Sequence, residues 1–217
     1  MNIKDMLFPS GIYCICCGSV TDDTRPYALC DSCVRKFHWT GKRTCARCGK
    51  ILDDDYRKAL CYDCTETDHA FRKGYTCTRY GLYERVLISN YKYSGQLHIA
   101  RKLGEIMADR MGYEDTHHDI VIPVPVYAGK KIKKGYDHAA LMAGYFSRCA
   151  GIRFGKDILY RKRSTAPMKD LDAPERTENV RDAFGIGSIG EDTVKGKEIL
   201  LVEMERSTLI QCNKRCA

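Results

Sequence analysis

The sequence contains no apolar run that approaches the roughly 18–20 residues that a membrane-spanning helix needs. It has no long apolar stretch before its first cysteine, Cys14, so it lacks the pattern of a secretory signal. The composition is 44% hydrophobic and 29% charged, with a net charge of +8 over 217 residues, which excludes a largely disordered chain. These absences predict a globular cytoplasmic protein without membrane insertion.

The thirteen cysteines are the feature of this composition that most needs an explanation. Disulfides are rare in the reducing cytosol, where closely paired cysteines more often bind metal. Eight of the thirteen form four C-x2-C pairs, which are Cys14/Cys17, Cys30/Cys33, Cys45/Cys48 and Cys61/Cys64. Because a C-x2-C turn places two thiolates on one side of a zinc ion, this spacing predicts zinc sites in the N-terminal part of the chain.

The four pairs belong to an internal repeat, since each paired cysteine of the first copy (residues 14–33) has its counterpart 31 positions later in the second (residues 45–64). Each copy reads C-x2-C-G and then a second C-x2-C, and the Gly permits the positive φ that such a knuckle often requires. Four thiolates make a closed tetrahedral site, so the predicted role is structural. Two sequential zinc ribbons are the first interpretation, and a cross-braced pairing of the first knuckle with the third is the alternative. Three neighbouring side chains are predicted not to be ligands: Cys16, His38 and His69.

The rest of the chain shows strand patterns that alternate with helix patterns. The predicted elements are a strand at 76–82, helices within 84–111 interrupted at Ser94-Gly95, strands at 119–126 and 198–202, a helix at 136–149, a long loop at 155–184 and a helix that begins at Ser207. This order predicts a parallel α/β sheet with ligands at the carboxyl ends of its strands. The predicted domains are a double zinc ribbon at 1–70 and an α/β domain at 71–217.

Positive charge is concentrated in the α/β part. Residues 127–181 contain 13 Lys and Arg against 6 Asp and Glu, a net charge of +7 out of the total of +8. The loop after the first buried strand supplies four of these cations: Lys130, Lys131, Lys133 and Lys134. Such a loop can bind an anion through its charge and its backbone amides, and a solvated basic surface is the alternative.

Several segments together resemble the ComF family, in which a double zinc ribbon precedes a domain of the type I phosphoribosyltransferase fold. Besides the two ribbons, the matching segments are Lys92-Tyr93-Ser94-Gly95, Ile122-Pro123-Val124-Pro125-Val126, Lys134-Gly135-Tyr136-Asp137-His138-Ala139, Arg163-Ser-Thr165-Ala-Pro167, Arg176-Thr-Glu-Asn179-Val180 and Ala183-Phe184. The resemblance covers nearly the whole chain. It implies a phosphoribosyltransferase-like protein associated with competence and DNA uptake.

The resemblance also implies roles for individual residues. Tyr127, Lys130, Lys131 and Lys134 would contact the pyrophosphate of phosphoribosyl pyrophosphate, bound together with Mg²⁺. A flexible loop around 161–176, which carries the candidate catalytic residues Arg163 and Arg176, would close over the reaction centre and exclude water. Glu203 would bind a ribose hydroxyl. The 5′-phosphate would lie on the following loop, where the chain has Ser207 and Thr208.

The chain departs from the family's pattern where that pattern has two adjacent acids and a Thr/Gly-rich loop. Here the segment reads Val202-Glu203-Met204-Glu205-Arg206-Ser207-Thr208, so the second acid and the loop Gly are missing. Met168 and Asp137 also replace the usual Gln and Asn. The expectation is an impaired anion site in an incomplete α/β domain, whose last helix and strand are missing. The alternatives are a non-catalytic ribbon module that binds single-stranded DNA or a helicase-type partner of DNA uptake, and an inactive truncated copy.

Overall fold

The computed structural model describes residues 12–41, 43–129, 132, 135–166, 170–204 and 210–215. The helices are α1 (Asp31–Lys36), α2 (Tyr62–Glu66), α3 (Leu82–Tyr93), α4 (Ile99–Met111), α5 (His138–Ala150), α6 (Ala173–Val180) and α7 (Ser188–Val194). The strands are β1 (Lys73–Tyr75), β2 (Ile120–Pro123), β3 (Arg153–Phe154), β4 (Leu159–Arg161), β5 (Phe184–Ile186), β6 (Glu198–Val202) and β7 (Ile210–Arg215). Within the described ranges no helix is both long and apolar enough to cross a bilayer.

The main sheet has the strand order β1-β7-β6-β2-β3. Strand β2 pairs in parallel with β3 and with β6, and the register joins Val121 to Leu200. Both of these residues are fully buried, as expected for parallel strands covered on both faces. The parallel strands β3-β2-β6 confirm the predicted α/β fold class. The break between α3 and α4 also lies where Ser94-Gly95 predicted it.

The prediction of a helix from Ser207 is wrong for residues 210–215, which form strand β7. This strand is antiparallel to both β1 and β6, and Asn213 pairs with Lys73 on one side and with Leu200 on the other. The backbone groups of the segment therefore gain hydrogen bonds on two sides, and this tertiary pairing outweighs a local helical preference. Ser207 itself lies outside the described residues.

Two further segments differ from the sequence-based expectations. The predicted strand at 76–82 is displaced to β1 at 73–75, and Thr78 makes only an isolated bridge with Trp39. The predicted loop at 155–184 contains strand β4, helix α6 and the start of strand β5. Strands β4 and β5 form a separate antiparallel pair, and α6 begins with a capping box formed by Asp172 and Glu175. We call residues 159–186 the arm.

The largest hydrophobic cluster joins the first ribbon to the α/β elements. It contains Leu29 from the first repeat and Phe37 just after it, together with buried residues of α3, α4 and α5. Helices α4 and α5 approach closely at Gly104, where a Cβ atom would lie 2.7 Å from the backbone nitrogen of Phe146. The shared cluster fixes the first ribbon beside the helices that cover the sheet. The division at residue 70 stays a prediction.

Candidate metal centres and strand-end site

The eight cysteines predicted to bind metal lie in two groups of four. The first group is Cys14, Cys17, Cys30 and Cys33, and the second is Cys45, Cys48, Cys61 and Cys64. Within each group, all four sulfur atoms lie within 4.8 Å of one another. The groups are formed by sequential knuckles, so the structure favours the sequential pairing over the cross-braced one.

The same backbone geometry recurs in both repeats. The amide of Gly18 donates to the carbonyl of Cys14 at 2.8 Å, and the amide of Gly49 donates to that of Cys45 at 2.9 Å. Both glycines have positive φ values, 76° and 72°, as the knuckle sequence predicted. The third cysteine of each repeat precedes a short helix, α1 or α2, and this helix carries the fourth.

Hydrogen bonds favour the thiolate form at one cysteine of each group, whereas burial raises the pKa of Cys33, Cys48 and Cys64. Burial alone would raise the pKa of Cys45, but hydrogen bonds from backbone amides, with that of Cys61 at 3.3 Å, lower it to about 6. A hydrogen bond with the Ser19 hydroxyl, 3.2 Å from Cys17 Sγ, lowers the pKa of Cys17 to about 6. Thiolate is the form of cysteine that binds zinc.

The spacing of the sulfur atoms fits a tetrahedral zinc ion. A tetrahedron with zinc–sulfur bonds of about 2.3 Å has sulfur–sulfur edges of roughly 3.8 Å. Cys17 and Cys30 have their sulfur atoms 3.8 Å apart, and those of Cys48 and Cys61 are 3.6 Å apart. Four thiolates leave no coordination position for water or substrate, so the two sites fit two structural zinc ions.

The neighbouring side chains predicted not to be ligands have other contacts. His38 Nδ1 lies 3.3 Å from Glu84 Oε1, and the His69 ring stacks on Phe71 with 4.9 Å between ring centroids. Cys16 is buried, and its sulfur atom lies 3.6 Å from the carbonyl oxygen of Tyr83 on α3. None of the three belongs to either group of four sulfurs in the described part of the chain.

One position of the repeat attaches each ribbon to the rest of the molecule. In the first ribbon it is Cys16, whose carbonyl also accepts a hydrogen bond from Asn90 on α3 at 3.2 Å. In the second it is Arg47, whose guanidinium donates to the carbonyls of Phe71 at 3.0 Å and His69 at 2.6 Å. The third residue of the first C-x2-C knuckle is therefore a docking residue in both repeats, with chemistry that differs between them.

The strand-end site lies beyond the carboxyl ends of β2 and β6. Glu203 is half-buried there, and Met204 is 4% exposed. The carbonyl of Met204 accepts a 2.6 Å hydrogen bond from Lys92 Nζ at the end of α3. At the second acid position the structure therefore has a buried thioether and a lysine, where the family pattern has a carboxylate.

The second cation of this site is Arg161, the last residue of strand β4 in the arm. Burial lowers the pKa of the Arg161 guanidinium, and the nearby Glu203 carboxylate opposes that shift. Arg161 also hydrogen-bonds to Thr165 and lies over the Phe184 ring at 5.1 Å. Its buried Nε atom has no hydrogen-bond partner among the described residues.

Other residues of the family-like motifs hold the arm together. The side chain of Asn179 exchanges two 3.0 Å hydrogen bonds with the backbone of Ala166. Arg163, predicted to be catalytic, donates to the carbonyl of Arg181 at 2.8 Å within the arm. Asp137, which replaces an Asn of the family pattern, caps α5 by accepting from the amide of Ala140 at 3.0 Å.

The structure describes only some of the remaining predicted site residues. Arg176 is exposed on α6, and Tyr127 is half-buried after β2. The other predicted anion-binding residues lie outside the described residues: Lys130, Lys131, Lys133, Lys134, Ser207 and Thr208. Their roles stay predictions.

Comparison with known proteins agrees with this architecture. Residues 3–65 match the family described as "Double zinc ribbon domain". The chain is also 25% identical over 123 residues to Competence protein F of Haemophilus influenzae, an alignment that covers 54% of this chain and 53% of that protein. Both findings support a ComF-like family. The alignment thus spans about half the length of this curated relative.

Two residues of the strand-end site, Lys92 and Arg161, were not assigned to it from the sequence. Lys92 was part of the Lys-Tyr-Ser-Gly segment but received no role, because its contact with Met204 joins residues 112 positions apart. Arg161 was included only as the first residue of a flexible loop. Its position two residues before Arg163 was the available signal, although Arg161 ends strand β4 and Arg163 lies beyond it.

Proposed function

We propose that this chain is a competence-related, ComF-like protein that binds a phosphoribosyl pyrophosphate-like anion at the strand-end site without completing phosphoribosyl transfer. The ribbons are its zinc-stabilised structural part. The parallel sheet, the cations at the strand ends and the resemblance to the ComF family support this proposal.

The observation that carries the proposal is the contact between Lys92 and Met204. Displacement at the anomeric carbon requires the ribose hydroxyls and the 5′-phosphate to be fixed at the same time. Glu203 supplies one carboxylate for this task, and Met204 supplies none. Mg²⁺ prefers oxygen ligands, so the loss of the second carboxylate also weakens a site for a Mg²⁺-bound substrate.

The same site retains groups that attract anions. Lys92 and Arg161 converge on the end of β6, and the half-buried Arg161 has an Nε–H that no described residue accepts. Lys130, Lys131 and Lys134 add positive charge to the sequence after β2. A pyrophosphate group presents the oxygens that such donors bind.

Calorimetry with phosphoribosyl pyrophosphate and Mg²⁺ tests the binding, and an assay for pyrophosphate release tests the chemistry. We expect weak binding that weakens further with added salt, and no pyrophosphate release. Arg161→Gln should reduce the binding, whereas Arg148→Gln, which removes an exposed arginine on α5, should not. Micromolar binding with pyrophosphate release would contradict the proposal and restore the transferase interpretation.

A second candidate function is single-stranded DNA binding by the ribbons. Phe37 and Trp39, which follow the first ribbon, are turned inward, since Phe37 is buried and Trp39 stacks on it with 5.4 Å between centroids. Two other aromatic rings on the ribbons are exposed instead, Tyr13 at 62% and Tyr62 at 73%. Exposed aromatic rings on a basic protein suit the stacking of unpaired bases.

Fluorescence anisotropy with a labelled oligothymidylate tests this candidate. Replacing Tyr13 and Tyr62 with Ala should weaken binding by about tenfold or more, because stacking of one base contributes roughly 1–3 kcal/mol. Tyr113→Ala removes a tyrosine that is 86% exposed outside the ribbons, and it serves as the matched control. Equal binding by all three proteins would exclude the ribbons as the DNA-binding surface.

A further inference from the structure

A cavity of about 410 Å³ lies between the edge strand β3, the two connections of the arm and helix α7. Its lining includes Ile120, the first residue of β2, whereas the strand-end site begins after Pro123, the last residue of that strand. The two sites therefore lie at opposite ends of β2. No residue of the strand-end site lines the cavity.

The interior of the cavity is apolar. Ile120, Phe154 and Ile158 form its walls, and Ile120 is only 2% exposed. Gly155 also lines it, and a Cβ atom at that position would lie 2.5 Å from Ile158 Cδ1 and 2.9 Å from Ile120 Cδ1. Glycine is therefore needed there for the two isoleucines to keep their places beside the open volume. A volume of this size suits a small molecule with one ring or one branched chain.

Two charged residues of opposite sign also line the cavity, Arg153 on β3 and Asp157 on the loop that leads to β4. Both residues are exposed, and no ion pair joins them. Among the described residues, neither side chain has a hydrogen bond or a salt bridge. An unpartnered cation and an unpartnered anion next to one apolar volume are complementary to a ligand that carries both charges.

We propose that this cavity binds a zwitterionic amino acid with an apolar side chain. The carboxylate of the ligand pairs with Arg153, its ammonium group pairs with Asp157, and its side chain lies against Phe154 and Ile158. Charge-assisted hydrogen bonds to both ends fix the ligand's orientation, and burial of the side chain supplies the main part of the affinity.

The position of the cavity lets a bound ligand contact the segments that connect the arm to the sheet. The arm leaves the sheet through residues 155–158 and returns through Gly187, and both connections line the cavity. Gly187 is tied to the first connection by a 2.9 Å hydrogen bond from its amide to the carbonyl of Ile158. A ligand bound here contacts both connections at once, so it restrains the arm that carries Arg161.

L-phenylalanine is the probe for this site, used with the zinc-loaded full chain. Phenethylamine retains the ring and the ammonium group, and 3-phenylpropionate retains the ring and the carboxylate. We expect saturable binding of L-phenylalanine by calorimetry, and binding weaker by about tenfold or more for either single-charge analogue. In NMR spectra the amide signals of Gly155 and Gly187 should shift, while that of Lys92 at the strand-end site should not.

Charge variants on the protein complete the test. Arg153→Gln and Asp157→Asn should each weaken the binding of L-phenylalanine by about tenfold. Lys156→Gln and Asp192→Asn remove exposed charges that do not line the cavity, and they should bind like the unmodified chain. The proposal is overturned if L-phenylalanine does not bind, if the three ligands bind equally, or if the lining and control variants behave alike.

Discussion

Gly49 and Gly74 are in direct contact, and this contact joins the second zinc ribbon to the first strand of the main sheet. A Cβ atom on Gly49 would lie 2.4 Å from the carbonyl oxygen of Gly74, and one on Gly74 would lie 2.6 Å from the carbonyl oxygen of Cys48. The amide of Gly74 donates to the carbonyl of Arg47 at 2.7 Å, so the two backbones approach as closely as neighbouring strands do. The atoms that an added Cβ atom would meet belong to the backbone and cannot rotate away.

Gly74→Ala should therefore destabilise the protein by about 1–3 kcal/mol, the usual cost of overpacking a closed contact. Gly41→Ala is the matched control, because a Cβ atom on Gly41 would meet nothing within 4 Å. Chemical denaturation of both variants measures the difference. Equal stability of the two variants would show that the second ribbon does not pack against β1 in solution.

Zinc content tests the assignment of the ligands. The purified protein should carry about two zinc ions, and Cys45→Ser should reduce this to about one, because a four-thiolate site is disrupted by the loss of a ligand. Cys149→Ser, which changes an exposed cysteine outside both groups, is the control. Metal analysis by mass spectrometry gives the count. Loss of metal on changing Cys16 to Ser, to the same extent as for Cys45, would contradict the assignment.

The contact between Lys92 and Met204 predicts an effect on the strand-end site. Lys92→Met removes both a cation and the hydrogen bond to the Met204 carbonyl, so it should weaken the binding of inorganic pyrophosphate, and the difference from the unmodified chain should shrink as salt rises. Lys102→Met removes a lysine of α4 that pairs with Glu105 away from the strand ends. Titration of both variants at low and high salt checks the prediction. The proposed anion site fails if Lys92→Met binds pyrophosphate as the unmodified chain does.

His118 should make the stability of the protein depend on pH near neutrality. Burial lowers the pKa of this side chain, which is 5% exposed. The unfolded chain binds a proton at this histidine below pH about 6.5, and the folded chain does so only at lower pH, so the free energy of unfolding falls as the pH drops below about 6.5. His118→Gln should reduce this dependence.

The neighbouring His117 is the control for that experiment, because its side chain is 83% exposed and lies 3.4 Å from Asp119. His117→Gln should leave the slope of stability against pH between about 7 and 5.5 nearly unchanged. Urea denaturation at several pH values measures the slope for each variant. A steeper slope in His118→Gln than in the unmodified chain would reverse the predicted sign.

The sequence alone determined the parts of this protein whose causes are local. Cysteine spacing placed the sulfur atoms of each site, because a C-x2-C turn sets the geometry within four residues and the glycine after it allows the required φ. Apolar runs and helical periodicity likewise predicted β2, β6 and most of α3, α4 and α5, since burial on one face or on both leaves a direct trace in the residue pattern.

The tertiary structure decided everything that depends on residues far apart in the chain. Strand β7 forms because β1 and β6 offer it hydrogen-bonding partners on both sides, and nothing within residues 210–215 indicates those partners. Contacts between distant segments also produce three other features: the placement of Lys92 over Met204, the folding of the arm, and the cavity at its two connections. Such contacts join segments that only the packed core brings together, so a periodic pattern carries no record of them.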